Sequence, residues 1–327
     1  MAVLKPPVDT GLALDVQTYV ALGLDHAAPE PVNGRSNADI LPALNHPGDA
    51  GYHPCPEAYP GAAVPQGEVT RHAGWEGARV YPGTTRDLFV YTPAELDRTQ
   101  AANIIVFNDG VGYLSRRGPV RAGLVLDTLH ATKAIAPTIA VFVNSGRPVG
   151  SEPSRTSAYD AASMQRSLEY DALTPDYGRF LLEDVLPFVE STHGLTITDD
   201  PTRRTVCGMS SGGICALTVA WHYPDRFARV MSHCGSYTNI RGGHVFPYLV
   251  RSTPRKPIRI FLQSGVNDGA TIFGDWPLAN QTMAKAFEYA GYDFRFEFGT
   301  GGHTLRHGGA LFADALRWLW RTGDDRR

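Results

Sequence analysis

A Gly-x-Ser-x-Gly turn, from Gly208 to Gly212, lies between two apolar runs and restricts the folds open to this chain. A short β-branched run, residues 204–208, enters the turn, and the apolar run over residues 214–220 predicts a helix after it. Glycine at both ends of the turn allows a close backbone approach, and strained backbone angles would expose the hydroxyl of Ser210 at a sheet edge. This strand–turn–helix context is the one that a nucleophilic serine requires.

The composition is that of an ordinary globular protein and argues against a nucleic-acid partner. The chain has 327 residues, of which 43% are hydrophobic and 19% charged, so it can form one large α/β domain or two small ones. The net charge is −3 and no run of Lys or Arg forms a basic patch. The N-terminus lacks the apolar segment of a secretory signal, and no apolar run is long enough to span a bilayer. We therefore expect a cytoplasmic protein with no membrane partner.

The four cysteines, Cys55, Cys207, Cys215 and Cys234, do not have the spacing of metal ligands. Apolar surroundings predict that most of them act as small buried hydrophobic residues. Cys207 and Cys234 end two predicted strands that could be neighbours, which leaves a disulfide between them open.

Two regions differ in composition. Residues 1–65 are rich in Pro, Gly, Asn and Ala and show only short helical patterns, at residues 15–24 and 38–44. They predict an irregular arm that packs on a catalytic domain of residues 66–327, either as a subunit contact or as a rim over the site. A homo-oligomer is thus an open option.

From residue 87 onward, strand patterns alternate with helix patterns. The outermost strand patterns, residues 87–92 and 293–298, alternate as edge strands do, whereas the runs between them are short and apolar. The inner predicted strands are residues 103–107, 138–144, 204–208, 229–233 and 258–263. The predicted helices are residues 120–131, 177–190, 211–222, 277–290 and 309–321. This order predicts an α/β fold with a mostly parallel central sheet, helices on both faces, and ligands at the carboxyl ends of the strands.

A serine hydroxyl needs a general base and a group that orients the base, and both should follow later strands of the sheet. Asp268 lies in the loop after the predicted strand 258–263, and His303 lies in a glycine-rich loop after the strand 293–298. We therefore predict Ser210, Asp268 and His303 as a catalytic triad. Asp275 is the alternative acid, although it could instead cap a helix that Pro277 opens, and His307 is the alternative base.

The spacing of His303 and His307 also fits two metal ligands on one helical turn. A metallohydrolase helix would carry a Glu between them, but the intervening residues are Thr304, Leu305 and Arg306. We expect neither a metal nor a cofactor.

A tetrahedral intermediate needs two N–H donors. The amide of Ser211, directly after the nucleophile, is the first candidate. The second should come from the loop after the strand 103–107, from Gly110 or Val111, and the sequence does not decide between them. Further residues in or near strand-end loops could form the wall of a substrate pocket: Tyr113, Tyr237, Trp276 and His307.

Eight segments together resemble a known family. They are FNDG (107–110), SLEYD (167–171), CGMSSGG (207–213), GSYTNIRGG (235–243), LQSGVNDG (262–269), DWPLANQTMA (275–284), GYDFRF (291–296) and GGHTLRHGGALF (301–312). The chain resembles the enterochelin esterase-like branch of the putative esterase family, which includes esterase D, feruloyl esterases and mycolyltransferases. The resemblance implies the α/β-hydrolase fold and the same triad.

The resulting expectation is a serine carboxylic-ester hydrolase that acts through an acyl-enzyme on a small-molecule ester. No basic cluster is evident for an anionic siderophore, so short acyl or aryl esters, including those of a sugar or natural product, are the expected substrates. An acyltransferase with the same triad is the first alternative. A non-catalytic binding protein with a hydrolase fold is the second, and a metallohydrolase that uses His303 and His307 is the third.

Overall fold

The apolar runs of the sequence form the middle of one twisted sheet. The structure, a computed structural model, describes residues 41–44, 46–151 and 161–322. The strands are β1 (Glu68–Trp75), β2 (Thr84–Thr92), β3 (Asn103–Asn108), β4 (Thr138–Val143), β5 (Arg147–Pro148), β6 (Arg204–Met209), β7 (Arg229–His233), β8 (Arg259–Gly265), β9 (Ala270–Thr271), β10 (Gly274–Asp275) and β11 (Asp293–Gly299). The main sheet has the order β1-β2-β4-β3-β6-β7-β8-β11, with β5 paired to β2, while β9 and β10 form a separate hairpin.

The sheet is parallel from β4 to β11 and antiparallel at β1 and β2. The predicted mostly parallel sheet is confirmed, and β11 is an edge strand as expected. The prediction of an edge strand at residues 87–92 is wrong, because β2 pairs with both β1 and β4. The edge is β1, whose polar sequence EVTRHAGW leaves it largely exposed and gave no apolar pattern to detect.

Helices cover both faces of the sheet. They are α1 (Leu41–Leu44), α2 (Gly110–Leu114), α3 (Ala122–Ala131), α4 (Ala161–Tyr170), α5 (Asp176–Phe180), α6 (Leu186–His193), α7 (Ser211–His222), α8 (Phe246–Ser252), α9 (Trp276–Tyr289), α10 (Arg306–Ala310) and α11 (Phe312–Leu319). A π-helical turn, Leu181–Val185, joins α5 to α6. The helix predicted at residues 309–321 is therefore divided between α10 and α11.

Side chains of the inner strands alternate between two cores. In β3, Ile104 and Val106 pack on one face with residues of α4 to α9. Ile105 and Phe107 pack on the other face with residues of α3 and α11. Burial on both faces explains why these strands read as continuous apolar runs.

The cysteines and the N-terminal residues were the remaining subjects of prediction from the sequence. All four cysteines are free and buried, so the open disulfide between Cys207 and Cys234 is not formed. Of the arm, residues 1–40 lie outside the described part of the chain, which includes the predicted helix 15–24. The boundary between an arm and a catalytic domain near residue 65 stays a prediction. Within the described residues, every helix is too short or too polar to cross a membrane.

Candidate active site

The turn after β6 places Ser210 at the carboxyl edge of the sheet in a strained conformation. Ser210 has φ of 59° and ψ of −123°, a region that residues other than glycine rarely occupy. Its amide donates to the carbonyl of His233 on the adjacent strand, at 2.9 Å, which holds the turn in place. A Cβ at Gly208 would overlap the backbone of Gly212, so glycine is required where the strand passes the helix. A conformation of this kind costs about 1–3 kcal/mol, and it places Ser210 directly before the first residue of α7.

His303 joins Ser210 to Asp268. Its Nε2 lies 2.9 Å from Oγ of Ser210, and its Nδ1 lies 2.6 Å from Oδ1 of Asp268. A carboxylate oxygen only accepts, so Nδ1 carries the proton of the neutral imidazole and Nε2 can accept the proton of Ser210. The three side chains come from the loops after β6, β8 and β11, whose carboxyl ends meet at one edge.

The surroundings of the two candidate acids differ. Oδ2 of Asp268 accepts a hydrogen bond from the hydroxyl of Ser264, at 3.0 Å, and Oδ1 accepts one from the amide of Gly269, at 2.7 Å. Asp275 instead caps α9, where its carboxylate accepts from the amide of Leu278 at 2.8 Å. Asp268 is therefore the acid that contacts His303.

A second hydroxyl, which sequence reasoning did not find, lies beside the first. Oγ of Ser236 is 3.1 Å from Oγ of Ser210 and 3.2 Å from the indole Nε1 of Trp276. Trp276 also packs edge-on against His303, with ring centroids 5.7 Å apart. Trp276, predicted as a substrate contact, is thus buried against the triad.

The loop that carries His303 is held by the described part of the N-terminal arm. The amide of His303 donates to the carbonyl of Ala43 at 2.8 Å. The amide of Gly302 donates to Oδ1 of Asp49 at 3.2 Å, and the amide of Thr300 donates to the hydroxyl of Tyr52 at 3.0 Å. Ala43, Asp49 and Tyr52 therefore pack against the loop that carries His303, and no local pattern in the sequence predicts these particular contacts.

His307, predicted as a pocket residue or alternative base, lies behind His303. Its ring stacks on Tyr52 at 4.2 Å, and its Nδ1 lies 3.1 Å from the side-chain amide of Gln263. Burial lowers the pKa of His307, against smaller raising effects of Glu297 and Asp49. His303 and His307 thus have separate partners, which does not favour a shared metal ion.

The amides predicted for an oxyanion hole differ in their availability. The amide of Val111 donates to Oδ1 of Asn144 at 3.2 Å. In the described part of the chain, the amides of Gly110 and Ser211 have no hydrogen-bond acceptor, as expected for the first residues of α2 and α7. The side chain of Val111 is 53% exposed at this edge.

Two predicted aromatic residues are not placed where a substrate could reach them. Tyr113 is 1% exposed, and its hydroxyl oxygen lies 2.9 Å from Nδ1 of His233. Tyr237 is equally buried and donates to Oγ of Ser232 at 3.0 Å. Tyr237 belongs to the core on one face of the sheet and Tyr113 to the core on the other.

A thiol beside the triad raises the question of a metal ion. Ligand atoms of Cys234, Asp268 and His303 lie within 4.8 Å of one another. Metal binding would need a thiolate, but burial and the charge of Asp268 raise the pKa of Cys234 well above its ordinary value. The contact between His303 and Asp268 also has the length of a hydrogen bond. These residues fit a proton-carrying pair better than a metal centre.

A cavity of about 1100 Å³ lies at the opposite end of the sheet. Its lining includes the first residues of three parallel strands, Asn103, Arg229 and Arg259. Because Ser210 lies at the carboxyl ends of the strands, this cavity does not border the triad.

The sheet order, the strained turn and the placement of the three side chains define the α/β-hydrolase fold. Solved structures of this fold include the enterobactin esterase of Shigella flexneri, with a TM-score of 0.58 at 22% identity over 80% of this chain and 62% of that chain. The feruloyl esterase module of Clostridium thermocellum has a TM-score of 0.57 at 18% identity over 84% of this chain and 96% of that one. The chain belongs to the family described as "Putative esterase", which it matches over residues 80–319.

Curated relatives share part of their length with this chain. It is 27% identical over 256 residues to the iron(III) enterobactin esterase of Dickeya dadantii, with 73% of this chain and 52% of that protein aligned. It is 24% identical over 238 residues to the iron(III) salmochelin esterase of Escherichia coli, with 69% and 52% aligned. The chain thus spans about half the length of the curated relatives it matches.

Proposed function

We propose that this chain is a serine carboxylic-ester hydrolase that acts through an acyl-enzyme on Ser210. The observation that carries the proposal is the continuous hydrogen-bonded path from Ser210 through His303 to Asp268, made by side chains from three separate strand ends. Membership of an esterase family supports the same reaction. The strained backbone of Ser210 supports a functional role, because such strain persists where it serves a mechanism.

In the first half-reaction, Oγ of Ser210 attacks the acyl carbon of the ester while its proton passes to Nε2 of His303. The proton then passes from His303 to the leaving alcohol oxygen as the acyl–oxygen bond breaks, which leaves the acyl group on Ser210. Asp268 keeps the imidazole in the required tautomer and stabilises the imidazolium that forms. In the second half-reaction, water attacks the acyl carbon in the same way and its proton returns through His303 to Ser210.

The developing oxyanion is stabilised by the amides of Ser211 and Gly110. Both amides lie at helix N-termini, where the helix dipole also favours negative charge. Gly110 is preferred to Val111 because the amide of Val111 already donates to Asn144.

Short acyl or aryl esters are the proposed substrates. The enterobactin esterase structure with 2,3-dihydroxy-N-benzoyl-serine and the feruloyl esterase module with sinapinate both involve aromatic ligands, which supports an aromatic acyl group. Val111, in the helix after β3, offers an exposed apolar side chain at the same sheet edge as Ser210.

The test is hydrolysis of p-nitrophenyl esters from acetate to long chains, with p-nitrophenyl ferulate as the aryl member. Wild type should hydrolyse the short esters, and Ser210→Ala should lose at least about 10³-fold in kcat/KM while it keeps its circular-dichroism spectrum. Activity should persist in EDTA. The proposal is wrong if wild type hydrolyses none of the esters, or if Ser210→Ala retains wild-type activity.

A further inference from the structure

The loop after β7 brings a buried hydroxyl to the nucleophile. Ser236 is fully buried. Its backbone amide donates to the carbonyl of Ser210 at 3.1 Å, so main chain as well as side chain joins the two serines. Among the described residues, Oγ of Ser236 has two hydrogen-bond partners, Oγ of Ser210 and Nε1 of Trp276.

The chemistry of these groups fixes which atom carries each proton. The indole of Trp276 only donates, so Ser236 accepts from it. Asp268 only accepts, so Nδ1 of the neutral imidazole is protonated and Nε2 of His303 must accept the proton of Ser210. Oγ of Ser210 then has only lone pairs left for Ser236. Ser236 therefore donates to Ser210, and each buried proton is used once.

We propose that Ser236 is an additional catalytic residue, which donates a hydrogen bond to Oγ of Ser210 and is oriented by Trp276. This inference rests on the proposed function, in which Ser210 is the nucleophile. The hydrogen bond occupies a lone pair of Oγ, so that the Ser210 proton points to Nε2 of His303. It also holds the oxygen in one rotamer. Ser236 keeps its own proton throughout, and the proton transfers remain those between Ser210, His303 and the alcohol or water.

The same contact acts when the acyl-enzyme breaks down. Oγ of Ser210 is then the leaving atom and gains negative charge as its bond to the acyl carbon breaks. A fixed donor already directed at that atom stabilises the charge without reorganisation. Ser236 thus contributes to both half-reactions through one hydrogen bond, which measures 3.1 Å between the two hydroxyl oxygens.

The experiment measures how fast a fluorophosphonate labels Ser210, together with kcat/KM on p-nitrophenyl acetate. Ser236→Ala should lower both by about tenfold, the size expected for one neutral hydrogen bond to a reacting atom. Trp276→Phe keeps an aromatic ring against His303 but removes the indole donor, and it should lower both by roughly threefold. In the double variant, the loss should equal that of Ser236→Ala alone, because Trp276 acts through Ser236.

Ser232→Ala is the matched control. It removes another fully buried hydroxyl from the same part of the chain, one that accepts from Tyr237 rather than contacting Ser210. It should lower stability and leave the labelling rate unchanged.

The inference is wrong if the Ser236→Ala variant is labelled at the wild-type rate. It is also wrong if the loss of rate in the double variant equals the product of the losses in the two single variants. If the Ser236→Ala variant does not fold, labelling of Trp276→Phe at the wild-type rate would overturn the inference instead. Failure of the proposed function is distinct, because wild type would then be unlabelled or Ser210→Ala would remain active.

Discussion

Asp268 and Asp275 lie seven residues apart, and they have different roles because their carboxylates accept hydrogen bonds from different donors. Asp268 accepts hydrogen bonds from His303, Ser264 and the backbone amide of Gly269, which hold its carboxylate against the imidazole. Asp275 accepts from the first turn of α9 and acts on the helix alone. Residue type alone did not separate them, since either could follow a strand and face a histidine.

Substitution of each acid by its amide should separate catalysis from stability. Asp268→Asn should lower kcat on p-nitrophenyl acetate by about 10³–10⁴-fold, because an amide favours the wrong tautomer of His303. Asp275→Asn should retain activity and lose at most about 1 kcal/mol of unfolding free energy, because Asn also caps helices. Steady-state kinetics and urea denaturation of both variants check this, and equal losses of kcat would contradict the assignment.

At the level of elements, the site is made where four chain segments meet. Three loops at the strand ends provide the triad, and the arm supports the loop of His303 from below. Tyr52 and Thr300, 248 residues apart, are joined by a hydrogen bond between the hydroxyl and the amide. Because glycines dominate the loop before His303, it has few side chains of its own with which to fix the histidine.

Tyr52→Phe should therefore loosen the loop of His303. The variant keeps the ring stacked on His307 but frees the amide of Thr300, so we expect kcat to fall about threefold to tenfold and stability by about 1 kcal/mol. The control is Tyr59→Phe in the same arm, whose ring is 57% exposed and packs under Arg121. Equal kcat values for the two variants and wild type, on p-nitrophenyl acetate, would show that the hydrogen bond between Thr300 and Tyr52 does not position the histidine.

The sequence predicts those parts of the site that follow from chain order. Buried strands are apolar runs, and the loops after them fall at one sheet edge, so Ser210, Asp268 and His303 could be predicted. The contacts of Ser236 with Ser210 and of Tyr52 with Thr300 could not be predicted, because they join distant segments and leave no local pattern. β1 was missed for a related reason: charged and polar residues interrupt its few apolar ones, and its pairing with β2 makes it a strand.

At the scale of the whole molecule, buried histidines make stability depend on pH. Complete burial, with a smaller effect from the charge of His307, lowers the pKa of His233 to about 3. In the unfolded chain the same side chain has a pKa of about 6.5. Between these two values the unfolded state binds a proton that the folded state does not, so the unfolding free energy falls as the pH is lowered through that window. Above about pH 6.5, His233 is neutral in both the folded and the unfolded state, so it no longer lowers the unfolding free energy.

From about pH 7.5 to about pH 5, His233 alone should lower the unfolding free energy by about 2 kcal/mol. His233→Gln removes the titration, so its stability should fall by about 2 kcal/mol less than that of wild type over this interval, whatever its stability at neutral pH. Urea denaturation of both proteins at the two pH values gives the comparison. Identical pH dependence would show that His233 does not stay neutral in the fold.

Peptide mapping after fluorophosphonate treatment tests whether Ser210 is the nucleophile. We predict one phosphonyl group per chain, on the peptide that contains Ser210, and no label on Ser210→Ala or on protein already acylated by a slow ester. A label on another residue would contradict this, and so would active wild type that stays unlabelled after fluorophosphonate treatment.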